Sequence, residues 1–160
     1  MKSTSYFCRR LDVSLIDRIL VPLDGSEYSD KALDYAIDMA KKFSSEVILV
    51  HIVQTTAAVV TGPEVLGPSL LLDLRKRLEE NGQHILSSGE AKAKEAGVKV
   101  ITKLDYGNAA DKIINMVKED NVGLIVMADR GLGAVARFFL GSVTDKVSHH
   151  ATCPVLIIKS

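Results

Sequence analysis

Arg18-Ile19-Leu20-Val21-Pro22-Leu23-Asp24-Gly25-Ser26 is the stretch on which the reading of the fold turns. The mostly apolar run Arg18–Leu23 ends abruptly in Asp-Gly-Ser, residues that close a strand and open a helix. Directly beyond it Leu33, Ala36, Ile37, Ala40 and Phe43 recur at helical spacing, while Asp30, Lys31, Asp34, Asp38, Lys41 and Lys42 fill the other faces. Glu46–Val53 (EVILVHIV) is then β-branched and apolar on both alternating faces, as a strand covered from both sides in a parallel sheet requires.

The same alternation continues along the chain. Gln54–Ser69 carries Gly62-Pro63 and Gly67-Pro68 without a stable period and reads as a long loop, a candidate mobile cover. Leu70–Ala96 is helical through Leu71, Leu74, Leu78 and Ile85, although Gly82 and Gly89 each weaken a helix interior by roughly 1 kcal/mol; Gly97 stops it. Val98–Leu104 alternates with period two, the pattern of a half-covered strand near an edge, and Asn108 caps a helix carrying Ala109, Ile113, Ile114 and Val117. Val122–Met127 is another buried strand, Gly141-Ser142 opens a last helix through His149, and Val155–Ile158 follows Pro154 as the fifth strand. Five strands alternating with four helices predict a doubly wound α/β fold, a five-stranded parallel sheet of order 3-2-1-4-5 with helices on both faces. Residues 1–17 are expected to form an N-terminal extension and 18–160 one domain.

Composition narrows the function. A chain of 160 residues, 47% apolar and 25% charged, has the material for one self-sufficient core. Lys plus Arg equal Asp plus Glu at 20 each, so no net field draws the chain onto nucleic acid or anionic lipid. Cys8 and Cys153 lie at opposite ends without metal spacing, which favours a reducing compartment. No apolar run approaches the roughly 20 residues that span a bilayer, and the start MKSTSYFCRR lacks the apolar stretch of a signal peptide. A cytoplasmic protein with no membrane span is expected.

In a doubly wound sheet the ligand crevice lies beyond the carboxyl ends of the strands where the order reverses, here the first and fourth. The loops leaving them carry Asp24-Gly25-Ser26 and Ala128–Ser142 (ADRGLGAVARFFLGS), so the most glycine-dependent turns converge. Gly141-Ser142 begins a helix whose first free N–H groups suit an anion, best a phosphate. A purely structural alternative has Ser142 cap that helix with Asp145 reciprocating, and Asp24 cap the first helix. Gly131–Ala136 matches G-x-G-x-x-A, but it follows the fourth strand and no acidic residue ends a strand about 20 residues on, which argues against a dinucleotide site. Gly62 and Gly67 have the spacing of a P-loop, yet Pro68 stands where the lysine belongs. His84, His149 and His150 lack metal spacing; Arg130 and Arg137 flank the glycine loop and could neutralise phosphate charge, but read chiefly as solvated surface.

With these residues assembled, the chain resembles the universal stress protein family in its ATP-binding branch, over about Ile19 to Lys159. The resemblance rests on Val21-Pro22-Leu23-Asp24-Gly25-Ser26, on Val47–Ile52, and on Ala128-Asp129-Arg130-Gly131 followed after nine residues by Gly141-Ser142. It closes with Cys153-Pro154-Val155-Leu156-Ile157-Ile158. It implies that Asp24 holds the ribose hydroxyls and that the Ile52 backbone, with Pro22 and Met127, receives adenine. Ala128 and Gly131 would approach the ribose and phosphates, and Gly141, Ser142, Val143 and Thr144 would wrap the phosphate tail. ATP is the implied ligand, with Mg2+ bound through the phosphates.

Ala128 departs from the family pattern, which has glycine there. If the position needs positive φ, alanine costs roughly 1–2 kcal/mol. If it needs close approach, the methyl selects against the nucleotide. No constellation for hydrolysis stands out, since Asp129 and His51 have no partner visible in the sequence that sets their geometry, so at most slow ATPase activity is expected. The apolar edge strand Val155–Ile158 implies a homodimer paired through it, as does the family resemblance. The alternative function is a nucleotide-free dimeric scaffold acting through protein contacts. A phospho-acceptor receiver domain is rejected because Asp24 stands alone after the first strand.

Overall fold

The apolar runs become five parallel strands in a computed structural model that describes residues 16–54, 68–132 and 140–159. The elements run β1 (Arg18–Pro22), α1 (Glu27–Phe43), β2 (Glu46–Val53), α2 (Pro68–Glu95), β3 (Val100–Tyr106), α3 (Ala109–Glu119), β4 (Leu124–Ala128), α4 (Ser142–His150) and β5 (Val155–Ile158). The strand order is β3-β2-β1-β4-β5, the expected doubly wound topology. Parallel register aligns Arg18 with Glu46 and Pro22 with Val50 on one side of β1, and Ile19 with Leu124 on the other.

Strand alternation sorts the side chains into two cores. Val47 and Leu49, with Leu124, Val126 and Ala128, face α1 and α2. Ile48 and Val50, with Ile125 and Met127, face the other way, toward Ile113, Met116 and Val117 of α3 and Val147 of α4. The central strands are buried on both faces, which is why they read as continuous apolar runs.

Several boundaries move. β1 stops at Pro22 rather than Leu23, and the third and fourth strands begin two residues later than expected, at Val100 and Leu124. The reason is the backbone between helix and strand. Val98 N–H still bonds back to Ala93, and Val122 N–H to Val117, so both valines finish helix-capping turns before pairing begins. The helix expected from Leu70 starts at Pro68, a residue favoured in a first turn because its missing N–H would go unpaired there. The rest of the expected cover, 55–67, lies outside the described residues, as do Cys8 and Arg137. Just before Arg18, Ser45 Oγ donates to the Ile16 carbonyl, Glu46 N–H donates to the Asp17 carbonyl, and Ile16 packs on the core.

Gly82 and Gly89, helix-weakening in the sequence, are what let α2 descend onto the sheet. A Cβ at Gly89 would stand 2.8 Å from Leu23 Cδ1 and 3.1 Å from Leu49 Cδ1. A Cβ at Gly82 would stand 2.6 Å from His51 Cδ2 and 2.7 Å from Leu104 Cδ1. These glycines lie two turns apart on one helix face, so the lost propensity is exchanged for contact along that face.

The two sheet edges differ. β3 carries Lys103 and Asp105, paired with Asp120 and Lys112 at 2.6 and 2.9 Å, whereas β5 is Val-Leu-Ile-Ile with three of its four residues half-buried. None of the described helices is long and apolar enough to cross a membrane.

Gly89→Val would overpack this seam. An unfolding free energy lowered by about 1–3 kcal/mol is expected, read as a lower urea midpoint at unchanged slope; an unshifted midpoint would contradict the close seating of α2.

Candidate functional site

Because β1 is flanked by β2 on one side and β4 on the other, the chain leaves its C-terminal end at the place where the strand order reverses. The turn there is built around Asp24. Ser26 N–H and Ser26 Oγ donate to Asp24 Oδ1 at 3.0 and 2.6 Å, and Leu132 N–H, 108 residues further along the chain, donates to Oδ2 at 2.9 Å. One carboxylate therefore fastens the exit of β1 to the exit of β4.

Burial pushes the Asp24 carboxyl up, but the hydrogen bonds from the Ser26 hydroxyl, the Ser26 amide and the Leu132 amide outweigh it and hold it below the usual carboxylate range. Asp24 is not the cap of α1, as the structural alternative had it. That role is Ser26's, whose Oγ accepts from Ser29 N–H at 3.1 Å while Asp24 steadies Ser26. Gly25, at φ +84°, turns the chain between them under Ile85 of α2.

The opposite wall is the N-terminus of α4. Its cap is Gly141, so Ser142 is the first helical residue and the capping box with Asp145 does not form. Gly141 N–H donates to the Asp129 carbonyl at 2.8 Å, and the Thr144 hydroxyl to the Ala128 carbonyl at 2.9 Å. These bonds clasp the helix start to the strand end. Asp145 N–H makes the first helical bond, to Gly141, which leaves the amides of Ser142, Val143 and Thr144 with no carbonyl inside the helix to meet. Gly131 lies against the carboxylate: a Cβ there would intrude on Asp24 Oδ2.

Between these walls lies a cleft of about 560 Å³, within the 300–1,000 Å³ or so typical of small-molecule sites. All ten residues singled out in the sequence line it: Pro22, Asp24, Ile52, Met127, Ala128, Gly131, Gly141, Ser142, Val143 and Thr144. Apolar residues, with Val50 and Ile113 among them, supply one part of the lining and the helix start another. Ala128 has no positive φ, and its methyl belongs to the core on the α1 side. The backbone strain envisaged for alanine therefore does not arise at this position.

The cleft is also lined by His51 and Arg130, both weighed in the sequence, and by Leu78 and Asn81, which sequence reasoning missed. His51 Nδ1 lies 2.8 Å from the Leu23 carbonyl, and Asp129 is bonded by the Arg130 guanidinium at 3.2 and 3.3 Å, so both residues read as partnerless from the sequence have geometric partners. Arg130, expected at the solvated surface, is largely buried and stands 5.8 Å from the Tyr28 ring centroid. Leu78 and Asn81 reach the cleft from α2; their signal was the neighbouring Gly82, which marks where that helix approaches the sheet. The Leu132 amide had none, being backbone. Among the described residues no cluster of three or more His, Cys, Asp or Glu could hold a metal.

Fold and cleft together define a doubly wound α/β protein with a small-molecule crevice at its switch point, floored by a carboxylate and faced by a helix start. Comparison with known proteins makes this specific. The sequence profile of the Universal stress protein family matches residues 16–159, and the chain belongs to that family. Universal stress protein YxiE of Bacillus subtilis is 37% identical over 149 residues, spanning 91% of this chain and all of that one. The solved structure of the hypothetical protein MJ0577 superposes with a TM-score of 0.76 at 25% identity, over 91% of this chain and 97% of that one. Two structures with the same fold at 23% and 21% identity, TM-scores 0.64 and 0.66, are a universal stress protein in complex with cAMP and an Arabidopsis thaliana family member with AMP bound.

The depressed Asp24 pKa carries a pH signature. Its stabilisation is complete above the ordinary carboxylate value of about 3.9 and is lost as pH falls through the lower folded value. The stability difference between wild type and Asp24→Asn, from urea unfolding at stepped pH, should be widest above about pH 5 and shrink below about pH 4. A difference independent of pH would mean that Asp24 is not held as described.

Proposed function

We propose that the chain binds an adenine nucleotide, ATP with Mg2+ held through the phosphates, in the cleft between Asp24 and the start of α4. The observation that carries this reading is the convergence of Asp24, Gly131 and Gly141–Thr144 on one cavity that Pro22, Val50, Ile52, Ile113 and Met127 line with apolar groups. A carboxylate at a strand end accepts hydrogen bonds from a pair of sugar hydroxyls, apolar side chains sandwich a purine, and unpaired helix amides receive phosphate oxygens. The cAMP and AMP complexes of two structural relatives support an adenine nucleotide as the class of ligand.

In this reading Pro22, Ile52 and Met127 contact the base, Asp24 the ribose, Ala128 and Gly131 the ribose and first phosphates, and Gly141, Ser142, Val143 and Thr144 the phosphate tail. Mg2+ supplies charge neutralisation through the phosphates rather than through protein ligands. The protein acts as a cytoplasmic regulator in the stress response with at most slow ATP hydrolysis. Ala128 was the feature favouring a nucleotide-free scaffold; with its methyl directed into the core, it gives that alternative no support. The chain works as a homodimer joined through the open edge Val155–Ile158, where antiparallel pairing about a two-fold axis would complete both sheets.

Calorimetric titration with Mg-ATP should give saturable binding. Asp24→Ala and Gly131→Ala should each weaken it by about ten- to a hundredfold, the range expected for losing charge-assisted hydrogen bonds. Absence of binding by the wild type, with no adenine nucleotide co-purifying by mass spectrometry, would overturn the reading. Analytical ultracentrifugation at micromolar concentration should give a dimer, and a monomer would remove the edge-pairing proposal.

A further inference from the structure

His51 sits on β2 on the face covered by α2, between the strand that carries the proposed base contact and the helix that walls the cleft. Its Nδ1 is 2.8 Å from the carbonyl oxygen of Leu23, the residue immediately before Asp24. A carbonyl only accepts, so Nδ1 carries the proton in this contact. β1 has ended by this point, at Pro22, yet Leu23 remains fixed from both sides of its peptide units: its N–H donates to the Val50 carbonyl at 2.8 Å and its carbonyl accepts from His51. The imidazole is itself held by shape. Gly82 leaves the space it fills, since a Cβ there would stand 2.6 Å from Cδ2 and 3.2 Å from Nε2.

We infer that His51 is a positioning residue of the nucleotide cleft: its Nδ1–H fixes the Leu23 carbonyl and thereby aims the Asp24 carboxylate at Leu132 and at the ribose. The inference rests on the nucleotide reading for its last step only. The peptide joining Leu23 to Asp24 is planar, so fixing its oxygen also fixes its N–H and the direction in which the next Cα leaves. The same ring meets Gly82, next to Asn81 in the cleft wall, so one side chain sets both the acid and the wall that faces it. Its action is geometric; it neither touches phosphate nor moves a proton.

Three variants separate this role from simple packing. His51→Asn places an amide N–H where Nδ1–H was, whereas His51→Leu fills the space without a donor. In the absence of nucleotide, the amides of Ser26 and Leu132, which Asp24 binds, should exchange at least about tenfold faster in His51→Leu and return toward wild type in His51→Asn. Mg-ATP affinity should follow the same order, about tenfold weaker in the leucine variant and restored in the asparagine one. Failure of the wild type to bind Mg-ATP would remove the nucleotide reading while leaving the exchange result to decide the positioning role. Unchanged exchange in His51→Leu, or equal loss in both variants, would overturn that role. Long-range 1H–15N spectra of the wild type, which need no variant to fold, should show Nδ1 protonated at neutral pH; an Nδ1 bearing a lone pair would overturn it as well.

Discussion

The carboxylate of Asp24 closes a loop between two turns that are 108 residues apart in sequence, and the cleft exists because that closure is made. A sheet whose order reverses leaves a gap at its crest by topology alone. What converts the gap into a site of defined width is an acid that accepts from Ser26 on its own turn and from Leu132 on the other. The acid is therefore structural before it is functional, and its hydrogen bonds more than offset the cost of partial burial.

The remaining walls follow from close approach. Glycines at 25, 82 and 89 occupy positions where a methyl group would strike Ile85, His51 or Leu23, so α2 can lie near both the β1 turn and the sheet surface. On the far side, Thr144 reaches back to Ala128, the last residue of β4, and Gly141 to Asp129 just beyond it, fixing the α4 start against the strand end. The α4 start is thereby tied to the end of β4, and support of this kind is what a binding site needs to meet its ligand without reordering.

Much of this was legible in the chain. Parallel strands buried on both faces announce themselves as apolar runs, and Glu46–Val53 was bounded to the residue. Asp24 and the glycine turn after the fourth strand were readable because strand ends in an alternating α/β fold leave few places for a crevice. Strand starts at Val100 and Leu124 were not, since whether Val98 or Val122 bonds to the preceding helix or to a neighbouring strand is a backbone decision that side-chain patterns do not encode. His51 was visible as a residue but not as a contact: its partner is a main-chain carbonyl 28 positions away. Gly82 and Gly89 were misread as mere weaknesses, because propensity is local and the compensating contacts are tertiary. Ala128 looked like a defect in a motif; alternation along β4 directs its methyl inward.

The unequal borders of the sheet have a consequence for assembly. One flank is lined with paired ions and the other with bare aliphatic side chains, so edgewise growth is adhesive in a single direction. Were two copies to pair through β5 as proposed, each would present outward only the edge that carries the paired ions. Lysines and aspartates on that outward edge would then oppose growth into ribbons.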